Sequence, residues 1–138
     1  MRFMIMVKAN QQTEANAIPS EKLIAEMAKY HEELAKAGVL LDASGLQPTS
    51  HGWRVKYSGD NQIITDGPFA ETKELIAGYT LIRVNSREEA LHWINRFPNP
   101  SMDGGEAQVE VRQLKELEDF GPSEAIRKFQ ELELASQK

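Results

Sequence analysis

The order of the predicted elements is the feature that most constrains the fold of this chain. An apolar strand, an amphipathic helix and a second strand follow one another twice, and a β-hairpin separates the two units. The segments are residues 2–8, 20–37 and 39–43 in the first unit and about 75–84, 86–97 and 107–112 in the second. Two such units in 138 residues predict one α+β domain with the ferredoxin-like, split βαβ arrangement, whose helices cover one face of the sheet.

Each predicted helix has a recognisable start and an apolar face. Ser20 is placed to cap the first helix, and Ser86 with Glu89 predicts a capping box for the second. The apolar faces comprise Leu23, Ile24, Met27, His31 and Leu34 in the first helix and Ala90, Leu91, Ile94 and Phe97 in the second. Because a helix turns by about 100° per residue, the positions of each set share one side, which predicts helices lying on a core.

The hairpin and the C-terminal segment complete the predicted architecture. Residues 53–57 alternate apolar and charged side chains, residues 58–61 form a turn, and residues 62–65 return. A further helix is expected at about residues 122–136. We therefore expect a single domain over residues 1–138, with a core at about 1–114, an inserted hairpin and a C-terminal helical extension.

The sheet face that the helices leave uncovered is also apolar. Met4, Met6, Ala77, Tyr79 and Leu81 fall on it when the strands alternate. At roughly 25 cal/mol per Å², hiding several hundred Å² of such surface stabilises an assembly by many kcal/mol. We therefore expect a homodimer in which two sheets pack face to face about a two-fold axis.

Composition and charge exclude several classes of function. The net charge is −5 and no strongly basic stretch occurs, so we expect no nucleic-acid partner. The chain has no cysteine, and His31, His51 and His92 lack metal-ligand spacing, so we expect no metal site. No nucleotide fingerprint occurs, so no cofactor is expected. The apolar run at residues 3–7 is too short for a signal peptide or a membrane span, which predicts a cytoplasmic protein without membrane contact.

The turn after the hairpin, residues 66–74, has the sequence DGPFAETKE and precedes an apolar strand. With residues 32–40, 45–48 and 109–112, it resembles the DGPF branch of the YCII-related family over about residues 1–114. The resemblance implies a dimeric α+β barrel of ferredoxin-like protomers, in bacterial proteins mostly of unassigned activity, within a wider family that includes a dehalogenating lyase. It also implies a catalytic His–Asp pair, whose counterparts here are His31 and Asp66.

The residues themselves leave two interpretations of that pair. His31 lies in the middle of an apolar helix face, and an imidazole exchanges protons near neutral pH. It is either a general base or acid, or a core histidine bonded to a backbone carbonyl or to Asp42. Asp66 either orients His31, or accepts a proton itself, or forms an Asx turn with the backbone of Pro68 and Phe69.

Four further residues are candidate ligand contacts: Phe69, Tyr79, Glu110 and Arg112. Glu110 and Arg112 project from the strand face opposite Val109 and Val111, towards the predicted dimer interface. They either form a structural ion pair there or line a cavity in which Arg112 binds an anionic ligand. Phe69 either contacts a ligand or fills an edge of the core.

Three functions are compatible with these residues. The first is a cofactor-free lyase- or isomerase-like enzyme that uses His31 and Asp66 in a pocket at the homodimer to move a proton beside a carbonyl group. The second is a non-catalytic, metabolite-binding or regulatory homodimer. The third is a structural dimer whose Asp-Gly-Pro turn fixes the seam between subunits. Convergence of His31 and Asp66 on an open cleft would favour the enzyme.

Overall fold

The chain is described over residues 1–136 by a computed structural model, so the last two residues of the predicted domain lie outside the described part. Its helices and strands follow the predicted order, with one added short helix. They are β1 Arg2–Lys8, α1 Gln11–Glu14, α2 Glu21–Lys36, β2 Leu40–Gly45, β3 Trp53–Ser58, β4 Asn61–Asp66, β5 Ile76–Arg83, α3 Arg87–Ile94, β6 Val109–Gln113 and α4 Glu124–Ser136.

Four of the strands form one antiparallel sheet in the order β2-β5-β1-β6. Strands β1 and β2 both run antiparallel to β5, which lies between them, so they are parallel to each other. Strand β1 separates β5 from β6 in the same way. A βαβ unit split by an inserted strand, occurring twice, is the predicted ferredoxin-like arrangement. The remaining strands, β3 and β4, pair as a separate two-stranded hairpin.

The core lies between the four-stranded sheet and helices α2 and α3. Ile5, Leu34 and Ile82 are fully buried there. The other members of this core are Phe3, Tyr30, Val39, Val84, Ala90 and Trp93. Because β-strand side chains alternate, Phe3 and Ile5 on β1 and Ile82 on β5 all point to the helices.

The predicted helix faces are correct in direction and inexact in membership. Tyr30 and Leu34 are the buried residues of α2, and Ala90 and Trp93 are those of α3. Leu91, which we expected in the core, is exposed. Tyr30 is accommodated because its hydroxyl donates to the Trp93 carbonyl at 2.7 Å, so burial leaves no unpaired donor. That partner is 63 residues away and is not visible in a local pattern.

The helix caps agree with the sequence in part. The hydroxyls of Ser20 and Ser86 accept from the third residue of their helices, each at 3.1 Å. The carboxylate of Glu89, however, accepts from the Asn85 amide and not from Ser86, so the predicted capping box is incomplete. Residues 10–17, for which no helix was expected, contain α1, whose first turn is closed by a reciprocal Asn10–Thr13 capping box.

The connection from β6 to α4 is tied back to β1 by one ion pair. Arg2 donates from Nε and Nη2 to the two carboxylate oxygens of Glu116, each at 3.0 Å. This hydrogen bonding holds the pKa of Glu116 below its usual value. The predicted C-terminal helix is present as α4. Among the described residues, no helix combines the length and the apolar character that crossing a bilayer requires.

Candidate functional site

Both ring nitrogens of His31 are hydrogen-bonded, Nδ1 within helix α2 and Nε2 to the sheet. Nδ1 lies 2.7 Å from the carbonyl oxygen of Met27, and Nε2 lies 2.8 Å from Oγ1 of Thr80 on β5. A carbonyl oxygen only accepts, so Nδ1 carries the proton that it donates. In the neutral ring, Nε2 therefore accepts from the Thr80 hydroxyl. The backbone of α2 thus sets the tautomer and directs the basic nitrogen towards the sheet.

Local structure explains how these groups meet. Met27 and His31 are four residues apart on one helix, so the ring reaches back over the turn that carries the Met27 carbonyl. Thr80 pairs with Ile5 and alternates with Tyr79 and Leu81, so its side chain faces the helices. Thr80 is buried, and its hydroxyl finds its partner in His31. The alternative of a backbone carbonyl as partner of His31 is therefore correct, whereas Asp42 is not its partner.

A cleft of about 420 Å³ opens beside His31, between the first half of α2 and the sheet. Its lining residues are Val7, Thr13, Pro19, Leu23, Ile24, Met27, His31, Ala43, Ser44, Gly45, Ala77, Gly78, Tyr79, Thr80, Phe97, Pro100 and Met102. None of them is Asp, Glu, Lys or Arg. A larger hollow of about 620 Å³ lies between the end of α3 and the start of β6, but Glu106 is its single ionisable lining residue.

Tyr79 belongs to this cleft lining, and its hydroxyl is engaged at the edge of the sheet. It donates to Oδ2 of Asp42 at 2.8 Å. This hydrogen bond raises the pKa of Tyr79 above its usual value. Tyr79 pairs with Met6 on the sheet face that the helices leave uncovered, so its ring lies opposite Thr80 with respect to the strand.

Asp66 is placed elsewhere, at the base of the hairpin. It is the last residue of β4, pairs with Trp53 and is exposed. The described structure places it neither in the cleft lining nor among the hydrogen-bond partners of His31. The alternative Asx turn is not formed through the Phe69 amide, because that amide donates to Oγ1 of Thr49 at 3.0 Å. The expected convergence of His31 and Asp66 on one cleft is therefore not formed, and the catalytic role of Asp66 stays a prediction.

The turn that follows Asp66 is instead a close-packed anchor. A Cβ added to Gly67 would lie 1.8 Å from the carbonyl oxygen of Thr49, and the Gly67 amide donates to the Gly52 carbonyl at 2.9 Å. The Glu14 carboxylate accepts from both the amide and the hydroxyl of Thr49. Glycine is thus required where two backbones touch, and the turn is connected to α1 through Thr49.

Phe69, the aromatic residue of this turn, packs under the hairpin. The guanidinium carbon of Arg54 lies 3.8 Å from the centre of the Phe69 ring. Arg54 also lies 3.9 Å from a carboxylate oxygen of Glu71. Arg54 therefore holds one face of the hairpin against the turn and is not merely a solvated charge. Phe69 does not line the cleft of His31.

Glu110 and Arg112 lie on the uncovered face of the sheet, as expected. Glu110 pairs with Met6 and Arg112 with Met4, while Val109 and Val111 pack on the core. Glu110 is 3.7 Å from the ammonium of Lys8, so its cation is Lys8 and not Arg112. The ion pair between Glu110 and Arg112 is therefore not formed within the chain, and neither residue lines the cleft.

Two residues that hold candidate site residues in place were missed from the sequence: Thr80, the partner of His31, and Thr49, the partner of the Phe69 amide. Thr80 carried no local signal, because a single threonine in an apolar strand is ordinary. Thr49 lies in a short 3₁₀ turn, Thr49–His51, whose partners are 35 and 20 residues away. Over the part of the chain that the structure describes, no three His, Cys, Asp or Glu side chains are placed to hold a metal ion.

The structure is that of an α+β protein with a ferredoxin-like sheet and a histidine that lines an apolar cleft between helix α2 and the sheet. Comparison with known families then identifies the class. The chain belongs to the YCII-related family, because the model of the YCII-related domain matches residues 1–115.

Individual relatives are distant. An uncharacterised protein of Rhizobium meliloti (strain 1021) is 32% identical over 89 residues, which cover 64% of this chain and 72% of that protein. A solved structure, 5-chloro-2-hydroxyhydroquinone dehydrochlorinase from Burkholderia phenoliruptrix AC1100 in complex with 2,5-dihydroxybenzoquinone, is 14% identical. The similarity covers 83% of this chain and 94% of that one, with a TM-score of 0.45.

Proposed function

We propose that this protein is a cofactor-free enzyme of lyase or isomerase type, in which His31 moves a proton of a small organic molecule bound in the cleft. The observation that carries the proposal is the fixed tautomer of His31. Its Nδ1–H is held by the Met27 carbonyl, so the lone pair of Nε2, which accepts from the Thr80 hydroxyl, lies beside the cleft that both residues line. A positioned nitrogen of this kind is the part that general acid–base catalysis needs.

The chemistry follows from the same geometry. A ligand with an acidic C–H or O–H takes the place of the Thr80 hydroxyl at Nε2, and the proton passes to that nitrogen. The resulting imidazolium still donates from Nδ1 to the Met27 carbonyl, so the bond that fixed the neutral ring also stabilises the charged one. In an isomerisation, the stored proton then returns to another atom of the ligand. In an elimination, the electron pair left on the ligand forms the new double bond and expels an anionic leaving group, and the imidazolium releases its proton to solvent.

The apolar lining supports this role physically. Because no Asp, Glu, Lys or Arg side chain lines the cleft, no other charge there competes with His31, and the electrostatic interaction between His31 and a ligand strengthens once the ligand displaces water.

We further propose, from the DGPFAETKE sequence, that the chain belongs to the DGPF branch. The homodimer with packed sheet faces remains part of the proposal, and Arg112 and Glu110 lie on the face that it would bury.

A second function, metabolite binding without turnover, is favoured by one observation. His31 and Tyr79 are the two ionisable residues of the lining, but the Tyr79 side chain lies on the other side of its strand from Thr80, where its hydroxyl donates to Asp42. A proton transfer that needs a second acid or base would lack one in this cleft. Binding alone requires no such group.

One experiment separates the two functions. A library of small carbonyl compounds is incubated in D₂O with the protein, and NMR reports loss of substrate or deuterium incorporation while thermal shift reports binding. The enzyme proposal expects at least one compound to stabilise the protein and to react or exchange. The His31→Gln variant, which removes the basic nitrogen, should lower that rate by a factor of about 10²–10⁴.

The control is His92→Gln, because His92 is an exposed histidine on α3, outside the cleft. It should react at the wild-type rate. Compounds that bind but never react or exchange would support the binding module. A reaction that His31→Gln leaves unchanged, or a library with no binder, would overturn the enzyme proposal.

A further inference from the structure

The floor of the cleft beside His31 is open at a position where a strand usually carries a side chain. Gly45 on β2 pairs with Gly78 on β5, on the face of the sheet that also carries Thr80. A Cβ added to Gly45 would meet no heavy atom of the described residues within 4 Å, and its φ is not positive. Neither packing nor backbone conformation therefore requires glycine at position 45, and the absent side chain leaves room in the cleft.

The walls around this room carry no formal charge. Among the described residues that line the cleft, none is Asp, Glu, Lys or Arg. A charged group that leaves water without an opposite charge beside it is strongly disfavoured. The cleft volume of about 420 Å³ is at the smaller end of small-molecule sites, which run to roughly 300–1,000 Å³. The cleft thus suits a compact, uncharged molecule.

The hydrogen-bonding side chains of the lining offer one donor beside one acceptor. The hydroxyls of Thr13, Ser44 and Tyr79 each donate to another group of the chain. The hydroxyl of Thr80 donates to Nε2 of His31, and the two atoms lie 2.8 Å apart. A ligand whose acidic hydrogen takes Nε2 frees that hydroxyl to donate to the ligand in turn. Such a ligand needs a hydrogen-bond acceptor next to its acidic hydrogen.

We propose that the ligand is an uncharged ketone or aldehyde, whose carbonyl oxygen accepts from the Thr80 hydroxyl while a hydrogen on the neighbouring carbon meets Nε2 of His31. The oxygen and this hydrogen are neighbours in such a molecule, as Oγ1 and Nε2 are in the cleft. When the C–H bond breaks, the proton passes to Nε2 and the electron pair moves into an enolate, whose oxygen keeps the hydrogen bond from Thr80. This choice of substrate class rests on the proposed function, because it concerns the same cleft.

Ketones paired with carboxylates, in which an oxygen replaces the methyl group of the ketone, test the charge of the ligand. The probes are acetophenone with benzoate, phenylacetone with phenylacetate, and cyclohexyl methyl ketone with cyclohexanecarboxylate. Ligand-observed NMR measures their dissociation constants at about pH 8, where an ordinary imidazole is neutral. We expect at least one ketone to bind, and each ketone that binds to do so at least tenfold more tightly than its carboxylate.

A lysine on the floor gives a matched test of where the probes bind. Gly45→Lys brings a cation into the cleft, whereas Gln47→Lys adds the same charge at an exposed residue outside the lining. Gly45→Lys should strengthen carboxylate binding at least tenfold, and Gln47→Lys should leave it unchanged. Ala43→Lys, at the position that pairs with Thr80, repeats the test should Gly45→Lys fail to fold.

The part of Thr80 is tested by removing its hydroxyl while keeping its shape. Thr80→Val should slow deuterium incorporation into a bound ketone by a factor of about 10²–10³, and Thr80→Ser should restore most of the rate. Binding separates contact with the ligand from orientation of His31. Thr80→Val should weaken the binding of a ketone and not that of its analogue with a methylene group in place of the carbonyl oxygen, as methallylbenzene is for phenylacetone.

Three results would overturn the proposed substrate class: carboxylates that bind as tightly as their ketones, equal effects of Gly45→Lys and Gln47→Lys, or deuterium exchange that depends on His31 but not on Thr80. The last result would leave the enzymatic function intact. Ketones that bind as expected and lose affinity in Thr80→Val, but never exchange, would support the ligand class and contradict the enzyme. If none of the probes binds, the ligand class is wrong, and the wider library of carbonyl compounds decides about the enzyme.

Discussion

The four-stranded sheet and the hairpin are both antiparallel, yet only the sheet has a layer of helices on it. The sheet buries Ile5 and Ile82 completely beneath α2 and α3, whereas every strand residue of the hairpin is exposed. A two-stranded hairpin is marginally stable by itself in water. The sheet is therefore held by its own burial, while the hairpin is held at its base by the turn around Gly67.

The largest expected difference between the two regions is in side-chain truncation. Leu34→Ala should lower the free energy of unfolding by about 2–5 kcal/mol, because Leu34 is fully buried and leaves a cavity. Ile63→Ala on the hairpin should change it by no more than about 0.5 kcal/mol, as for other exposed sites. Urea denaturation measures both values. Equal effects would show that the hairpin face of Ile63 is covered in solution.

The base of the hairpin is the exception within that region. Gly67→Ala should destabilise by about 1–3 kcal/mol, because the new methyl group meets the Thr49 carbonyl at 1.8 Å. Hydrogen exchange should accelerate in β3 and β4 and stay unchanged in β1 and β5. Gly52→Ala is the control, since its Cβ would meet the same carbonyl at 3.7 Å, an ordinary contact. Acceleration throughout the sheet would contradict the idea of a local anchor.

Removing a single hydroxyl from the core should have a smaller effect on the free energy of unfolding. Tyr30→Phe should cost about 1 kcal/mol, the usual net contribution of one hydrogen bond. The cost is modest because the Trp93 carbonyl, which loses the Tyr30 hydroxyl, also accepts from the Arg96 amide at 3.1 Å. Tyr57→Phe on the hairpin, where the residue is exposed, should cost nothing measurable in the free energy of unfolding.

The same residue gives the core a pH dependence that is absent from its Phe variant. Burial raises the pKa of Tyr30 to about 12, from 10 in its ordinary state. The folded state thus favours the neutral phenol. The contribution of Tyr30 to the free energy of unfolding is therefore complete below pH 10 and is lost as the pH rises from 10 through 12. The difference in unfolding free energy between wild type and Tyr30→Phe should shrink over that interval and then change sign, so that the Phe variant becomes the more stable protein. A constant difference would contradict the burial of the Tyr30 hydroxyl.

Local pattern was enough to predict most of the fold. The boundaries of β1 coincide with the predicted strand, and α2 begins directly after its predicted cap at Ser20. Strand alternation correctly divided Val109 and Val111 from Glu110 and Arg112. The failures lie where a distant partner decides. Tyr30 is buried because its hydroxyl donates to the Trp93 carbonyl. The Glu89 carboxylate accepts from the Asn85 amide, because the chain that leads into α3 brings that amide within reach.

Apolar periods of 3.6 and 2 residues were enough to predict the order of the main elements, the direction of their apolar faces and the place of His31 on the inner side of α2. The tertiary structure alone decided that Thr80, 49 residues away, is the partner of His31, and that Asp66 lies at the hairpin base. It also decided that Gly67 is needed for contact with Thr49. These pairings depend on how the sheet and the turn bring together segments that are far apart in the sequence, and no short-range pattern encodes such contacts.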